Sequence, residues 1–156
     1  MPTKSKVYLG LGGNLGDRNA LLDQAEARLN QQAGWITARS SRIETEPLGF
    51  ESPHPFLNEV VILETSLTPL ELLDRTEGIE RELGRRQKSC NGCYTDRPID
   101  IDLLLYDDLL VDLPRLTLPH PRMHARRFVL EPLCELAPTL IHPRLHRTMQ
   151  QLLQDL

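Results

Sequence analysis

The sequence predicts an α+β fold of the ferredoxin-like, split β-α-β kind. Its element order is β-α-β-β-α-β, with an antiparallel sheet, helices packed on it, and a C-terminal extension. Three observations carry this reading. Short apolar runs with period-2 alternation recur at Val7-Tyr8-Leu9-Gly10-Leu11, at residues 58–65 and around Ile99-Asp100-Ile101-Asp102-Leu103. Two amphipathic stretches with helical start signals separate them. Turn residues punctuate each junction, and no repeat or linker divides the chain, so the 156 residues suit one domain with a sizeable core.

The elements follow in order. Val7 to Leu11 reads as a strand, and Gly12-Gly13-Asn14-Leu15-Gly16 as a flexible turn. Asp17 can cap a helix with Leu22, Ala25 and Leu29 on one face. Residues 35–43 read as a strand, although Thr37, Ser40 and Ser41 blur its alternation, and residues 47–55 as a loop. Residues 58–65 form a strand with Val60 and Ile62 on one face and Val61 and Leu63 on the other. Thr68-Pro69-Leu70-Glu71 has the capping-box pattern with proline at the first helical position, and that helix stops at Gly84. A loop over 85–96 precedes the next strand. The proline-rich tail carries helical pieces at 129–136 and 149–153.

Composition excludes several classes. Charged residues are 26% and hydrophobic residues 40%, as in a soluble globular protein. A net charge of -4 argues against a general nucleic-acid binder. The basic residues nevertheless cluster, Arg85, Arg86, Lys88 and Arg97 in one stretch and Arg122, Arg126 and Arg127 in another, which suits a small polyanionic ligand. No apolar run approaches a membrane span, and the polar first residues lack a signal-peptide pattern. Three cysteines, an odd number, fit the reducing cytosol. Cys90-Asn91-Gly92-Cys93 lacks the second pair a zinc site needs and reads as two loop cysteines. The glycine-rich segment after the first strand matches neither a Walker A loop nor the G-x-G-x-x-G spacing.

The chemistry concentrates in Arg97-Pro98-Ile99-Asp100-Ile101-Asp102. In a strand, Asp100 and Asp102 point to the same face, about 6–7 Å apart along the chain, while Ile99, Ile101 and Leu103 point into a core. Paired carboxylates on one strand face suit Mg²⁺, which takes one or two carboxylates and completes its shell with water and phosphate oxygens. Arg97 is placed to meet those oxygens. Two solvated aspartates on an exposed edge are the plain alternative.

Further motifs join this one in a set order: Thr45-Glu46-Pro47-Leu48-Gly49, Phe56-Leu57-Asn58, Gly84-Arg85, Leu118-Pro119-His120-Pro121-Arg122-Met123 and Arg126-Arg127-Phe128-Val129-Leu130. Together with the glycine-rich turn and the Asp-x-Asp strand, they make the chain resemble the 6-hydroxymethyl-7,8-dihydropterin pyrophosphokinases of folate biosynthesis over residues 7–153. The resemblance implies that the pterin's hydroxymethyl oxygen attacks the β-phosphorus of ATP and AMP leaves. It implies two Mg²⁺ ions at Asp100 and Asp102, with Asp100 also near the pterin, and Arg85 and Arg97 as catalytic cations. It places Glu77, Glu80, Arg85, Lys88, Arg97, Thr117, His120 and Arg126 around ATP. It places Thr45, Glu46, Pro47, Leu48, Phe56, Asn58, Tyr94 and Phe128 around the pterin. It further suggests a cytoplasmic monomer with no nucleic-acid or membrane partner and no attached domain for a neighbouring folate step.

The chain departs from the commonest family pattern mainly in the 85–96 loop. Gln87 stands where many relatives carry a second arginine, Tyr94 where they carry tryptophan, and Asp96 where they carry proline. Two other classes fit parts of the sequence: a ferredoxin-like binding module, and another Mg²⁺-dependent phosphoryl or nucleotidyl transferase. The product separates them, since AMP marks pyrophosphoryl transfer, ADP a simple kinase and pyrophosphate a nucleotidyl transferase.

Overall fold

The structure is a computed structural model that describes residues 4–46, 52–85 and 96–156. The chain runs β1 (Ser5–Gly13), α1 (Arg18–Gln32), β2 (Trp35–Arg39), β3 (Ile43–Thr45), β4 (Phe56–Thr65), α2 (Pro69–Glu82) and β5 (Asp100–Tyr106). A hairpin of β6 (Val111–Leu113) and β7 (Leu116–Leu118), a 3-10 turn (Met123–Ala125), α3 (Arg127–Leu136) and α4 (Met149–Gln154) complete it. The main sheet has the order β2-β4-β1-β5, every pairing antiparallel, with β3 beside β4 beyond the end of β2. This is the ferredoxin-like arrangement expected from the element order.

Local sequence accounts for most element ends. The Asp17 carboxylate accepts from the Ala20 N–H and starts α1. Thr68 and Glu71 form the reciprocal capping box that starts α2, an arrangement worth about 1 kcal/mol. Gly84, with φ +102, ends α2 in a conformation that side chains resist. Thr148 and Gln151 repeat the capping box at α4, which glutamine completes as well as glutamate does.

Two expectations need correction. The strand read over 35–43 is two strands. Ser40 separates them, because its hydroxyl accepts from the Val60 N–H at 2.9 Å and donates to the Ser41 carbonyl at 2.9 Å. A side chain that takes over ladder bonds ends regular pairing. Second, Gly12 and Gly13 belong to β1 rather than to a turn. Both pair with β4, as Gly12↔Asn58 and Gly13↔Leu57. A Cβ on Gly13 would meet the Pro98 carbonyl oxygen at 2.1 Å, so glycine here is what lets the segment entering β5 lie against β1.

The sheet has a core on each face. Val61 and Leu63 join Leu9, Leu11, Ile101 and Leu103 beneath α1 and α2, packed with Leu22, Ala25, Leu29, Leu72 and Ile79. Val60 and Ile62 join Tyr8, Leu104, Met123, Val129, Leu130 and Leu133 on the opposite face, with Met149 and Leu152. Each such leucine contributes about 1.5–3 kcal/mol by burial. The helices of the core motif lie on one face, as expected, and the C-terminal extension covers part of the other. A register shift opposite Tyr8 and Leu9 leaves Leu104 without a partner on β1. Leu104 and Leu105 consequently both serve the second core, while Leu103 and Tyr106 serve the first.

A buried ionic cluster lies under the sheet. Arg42 Nε donates to Glu59 Oε2 at 3.2 Å, and its Nη2 donates to Glu26 Oε2 at 3.1 Å and Asp23 Oδ1 at 2.7 Å. Burial first, and the neighbouring Glu26 second, push the Glu59 carboxyl up to about 8, with Arg42 acting in the opposite direction. Its folded value exceeds the ordinary 4.5, so the folded state binds more protons between about 4.5 and 8. This group's contribution to stability therefore falls as pH rises through that window, by up to about 1.4 kcal/mol per pH unit, and is flat above it. Burial holds His142 near 4, which gives the opposite slope between about 4 and 6.5. The difference between wild type and Glu59→Gln isolates the carboxyl. Urea unfolding from pH 5 to 8 should show the variant gaining on wild type as pH rises; parallel profiles would refute the assignment.

Candidate active site

The tail core covers only part of the second sheet face. Beyond it a cleft of about 480 Å³ opens over the end of the sheet formed by Gly10–Gly12, Asn58–Val60 and Asp100–Asp102. Asp100 pairs with Gly12 and Asp102 with Gly10, so both carboxylates stand beside strand positions with no side chain. The same two glycines pair on their other side with Asn58 and Val60. Facing pairs share a sheet face, so a carboxylate, a glycine and a β4 residue form each row across the cleft floor. A Cβ on Gly12 would meet Asn58 Oδ1 at 2.5 Å, which shows how the Asn58 amide uses that space. Ile101 and Leu103 turn into the first core, as the alternation required.

Twelve of the expected site residues line this cleft: Thr45, Glu46, Phe56, Asn58, Arg85, Arg97, Asp100, Asp102, Thr117, His120, Arg126 and Phe128. They come from β3 and the residue after it, β4, the residues just past α2, the approach to β5, β5 itself, β7, the segment before α3 and the first turn of α3. Asn58 is buried and donates from Nδ2 to Thr45 Oγ1 at 2.7 Å, which orients its amide. His120 donates its backbone N–H to the Leu104 carbonyl at 2.9 Å, and its Nδ1 accepts from the Arg122 N–H at 3.1 Å. With Nδ1 an acceptor, the neutral ring carries its proton on Nε2. Each cleft phenylalanine lies under an arginine, Arg97 4.8 Å from the Phe56 ring and Arg126 5.5 Å from the Phe128 ring. Such cation–π contacts help to hold each guanidinium over its ring.

Arg85 is nearly inaccessible and links α2 to β5. Its Nη1 donates to Asp100 Oδ1 at 2.6 Å, to Glu80 Oε2 at 3.2 Å and to the Ile99 carbonyl at 3.2 Å. Arg97 Nε lies 3.5 Å from the other Asp100 oxygen. Asp100 is therefore held between two arginines.

Glu80 and Glu77 do not line the cleft. Glu80 is 3% exposed, and its Oε2 accepts from Arg85 and from the Ile101 N–H at 2.8 Å. Among the described residues β5 is the sheet edge, and this N–H takes the carboxylate in place of a strand partner. That carboxylate holds Arg85 and β5 together. Glu77 pairs with Arg115 at 2.8 Å, beside Asp74 at 2.7 Å, and Arg115 itself reaches the cleft. Arg115 and Arg122 line the cleft although the sequence reading assigned them no role there. Arg122 belongs to the basic cluster with Arg126 and Arg127, whereas Arg115 stands alone before β7 and carries no local signal. Pro47, Leu48, Lys88 and Tyr94, with Cys90 and Cys93, lie outside the described residues.

The donor set fits Mg²⁺. Among the described residues no group of three or more His, Cys, Asp or Glu side chains gathers to hold an ion, and Asp100 and Asp102 are the residues that could hold one with its waters. Two carboxylates with open positions suit an ion that keeps its waters and shares phosphate oxygens.

The model of the 7,8-dihydro-6-hydroxymethylpterin-pyrophosphokinase family matches residues 8–138. The 2-amino-4-hydroxy-6-hydroxymethyldihydropteridine pyrophosphokinase of Porphyromonas gingivalis is 55% identical over 138 residues, covering 88% of this chain and 93% of the relative. That of Bacillus subtilis is 45% identical over 131 residues, covering 83% of this chain and 77% of the relative. Among solved structures, wild-type Plasmodium falciparum HPPK-DHPS with STZ-DHP matches 98% of this chain with a TM-score of 0.78 at 17% identity, a likeness of fold. This chain spans 43% of that one. Sheet, cleft and relatives together define a pyrophosphokinase, a transferase that uses ATP. The chain belongs to the 7,8-dihydro-6-hydroxymethylpterin-pyrophosphokinase family, whose activity serves folate biosynthesis.

Proposed function

We propose that this chain transfers pyrophosphate from Mg²⁺-bound ATP to the hydroxymethyl oxygen of 6-hydroxymethyl-7,8-dihydropterin. The observation that carries the reading is the pair Asp100 and Asp102 on one strand face, beside Gly10 and Gly12, with arginines stacked on Phe56 and Phe128 in the same cleft. Phe56 and Phe128 hold the flat pterin, and Asn58 and the backbone at Thr45, Glu46, Pro47 and Leu48 read its edge, with Tyr94 beside it. Arg97, Arg126, His120, Thr117 and Lys88 bind the triphosphate and ribose. Glu77 acts at the nucleotide rim through Arg115, and Glu80 acts through Arg85.

In the reaction a bond forms between the hydroxymethyl oxygen and the β-phosphorus. The bond from that phosphorus to the α,β-bridging oxygen breaks, AMP leaves with the electron pair, and the hydroxyl proton passes to solvent water. The two ions expected at Asp100 and Asp102 would supply charge neutralisation on the phosphate oxygens and a more acidic attacking hydroxyl. The protein's part is alignment and charge. Arg85 and Arg97 set the Asp100 carboxylate, and the guanidiniums spread over the loose, charge-dispersed transition state. The substrates, a cytoplasmic location, one domain over residues 1–156 and a monomeric state complete the proposal. In the described residues no helix is long and apolar enough to cross a membrane.

Incubation with ATP, Mg²⁺ and the pterin, followed by nucleotide analysis, tests the reading. Pterin-dependent AMP with a diphosphorylated pterin is expected, and both products should disappear on chelation of Mg²⁺. ADP would indicate a simple kinase, pyrophosphate a nucleotidyl transferase, and binding without product a sensor.

A further inference from the structure

We propose that Asp96, through Asn14, is a positioning residue that sets Arg97 for pyrophosphoryl transfer; the inference rests on the function proposed above. Asn14 follows β1 and is 3% exposed. Its Nδ2 donates to Asp96 Oδ1 at 2.7 Å and to the His54 carbonyl at 3.0 Å. Its Oδ1 accepts from the Arg97 N–H at 2.8 Å, and its own N–H donates to the Arg97 carbonyl at 2.9 Å. One asparagine thus holds both backbone groups of Arg97, as a strand partner would, at a point where neither residue lies in a strand.

Asp96 tightens that amide's orientation, adding an ionic acceptor to the contacts with His54 and Arg97. Both Nδ2 hydrogens are used, one by Asp96 and one by His54, and this turns Oδ1 toward Arg97. Without the carboxylate, one buried hydrogen loses its acceptor and the amide is held only by His54 and Arg97. Asp96 also accepts from the Ser52 hydroxyl, and this bond, with that from Asn14, holds its carboxyl below the usual range. Ser52 Oγ accepts in turn from the His54 N–H at 3.1 Å.

The cluster therefore ties three segments at one point: the end of β1, the approach to β4 and the approach to β5. Its two outputs face the cleft. Phe56 begins β4 two residues after His54, and Arg97 lies over the Phe56 ring at 4.8 Å. Arg97 Nε also lies 3.5 Å from Asp100. The network fixes the cation that meets phosphate relative to the ring that meets pterin. Misplacement of such a group by 1 Å can cost on the order of 10²-fold in rate.

The test compares kcat, KM and thermal unfolding in Asp96→Ala and Asp96→Asn, each with Arg97 and with Arg97→Lys. Asp96→Ala should lower kcat about tenfold with less than about threefold change in either KM. Asp96→Asn keeps an oxygen acceptor and should recover to within about threefold of wild type. With Arg97→Lys already present, Asp96→Ala should add less than about twofold, because the group it positions is gone. If Asp96→Ala does not fold, Ser52→Ala carries the same comparison with a loss of about two- to threefold. An unchanged kcat, or an equal loss in both Arg97 backgrounds, would overturn the inference while wild-type AMP formation left the proposed function standing. A wild type that forms no AMP would overturn both.

Discussion

Asp102→Asn is expected to lower kcat at least about 10³-fold while changing stability by less than about 0.5 kcal/mol. The substitution keeps shape and an oxygen but removes the charge that a divalent ion requires. Asp102 sits on the cleft floor beside Gly10 and is partly exposed. Asp100 gives a less clean test. Its Oδ1 holds the buried Arg85 and its Oδ2 faces Arg97, so its loss damages the fold and the reaction together. The measurement is AMP formation across a Mg²⁺ series, beside urea unfolding of the same preparation. Retention of more than about a tenth of wild-type kcat would remove Asp102 from the phosphate side of the cleft.

Glu80→Ala is expected to carry the largest stability loss, about 3 kcal/mol or more, together with a fall in kcat. One carboxylate oxygen serves Arg85 and the Ile101 N–H, both buried. Removing it leaves an edge-strand donor unmet and a buried guanidinium with one anionic partner fewer. Glu80→Gln retains an oxygen for Ile101 and should lose about half as much. Equilibrium urea unfolding measures both variants at equal slope. A loss below about 1 kcal/mol for Glu80→Ala would mean that water replaces the carboxylate and that the link from α2 to β5 is not structural.

Much of this was legible in the linear chain. The capping box at Thr68, the Asp17 cap and the stop at Gly84 depend on neighbours within a few residues, and each stands where local chemistry predicts. The Asp100/Asp102 face was legible because alternation in a strand is a property of the backbone alone. Other features depend on segments far apart in sequence. Gly12 and Gly13 look like a turn until Pro98 and Asn58 are brought against them. The break at Ser40 needs Val60, and the shift at Leu104 needs Tyr8 and Leu9 as partners. Glu80 looked like a surface or pocket carboxylate because nothing nearby in sequence reveals that β5 is an edge with an N–H to satisfy.

The sequence by itself determined which residue types were available for chemistry: two carboxylates at strand spacing, aromatic residues in the recurring motifs, and clustered arginines. It also determined the order of elements, since propensity, capping and alternation act over a few residues. Only the tertiary structure decided which of those residues meet. It placed bare glycines beside both carboxylates, turned Glu80 inward to Arg85, brought Arg115 to the cleft rim and gathered Asn14, Ser52 and Asp96 around Arg97. The reason is physical. Register and edge position are set by pairings between distant strands, and a buried polar group takes whichever partner the packing brings within hydrogen-bond reach.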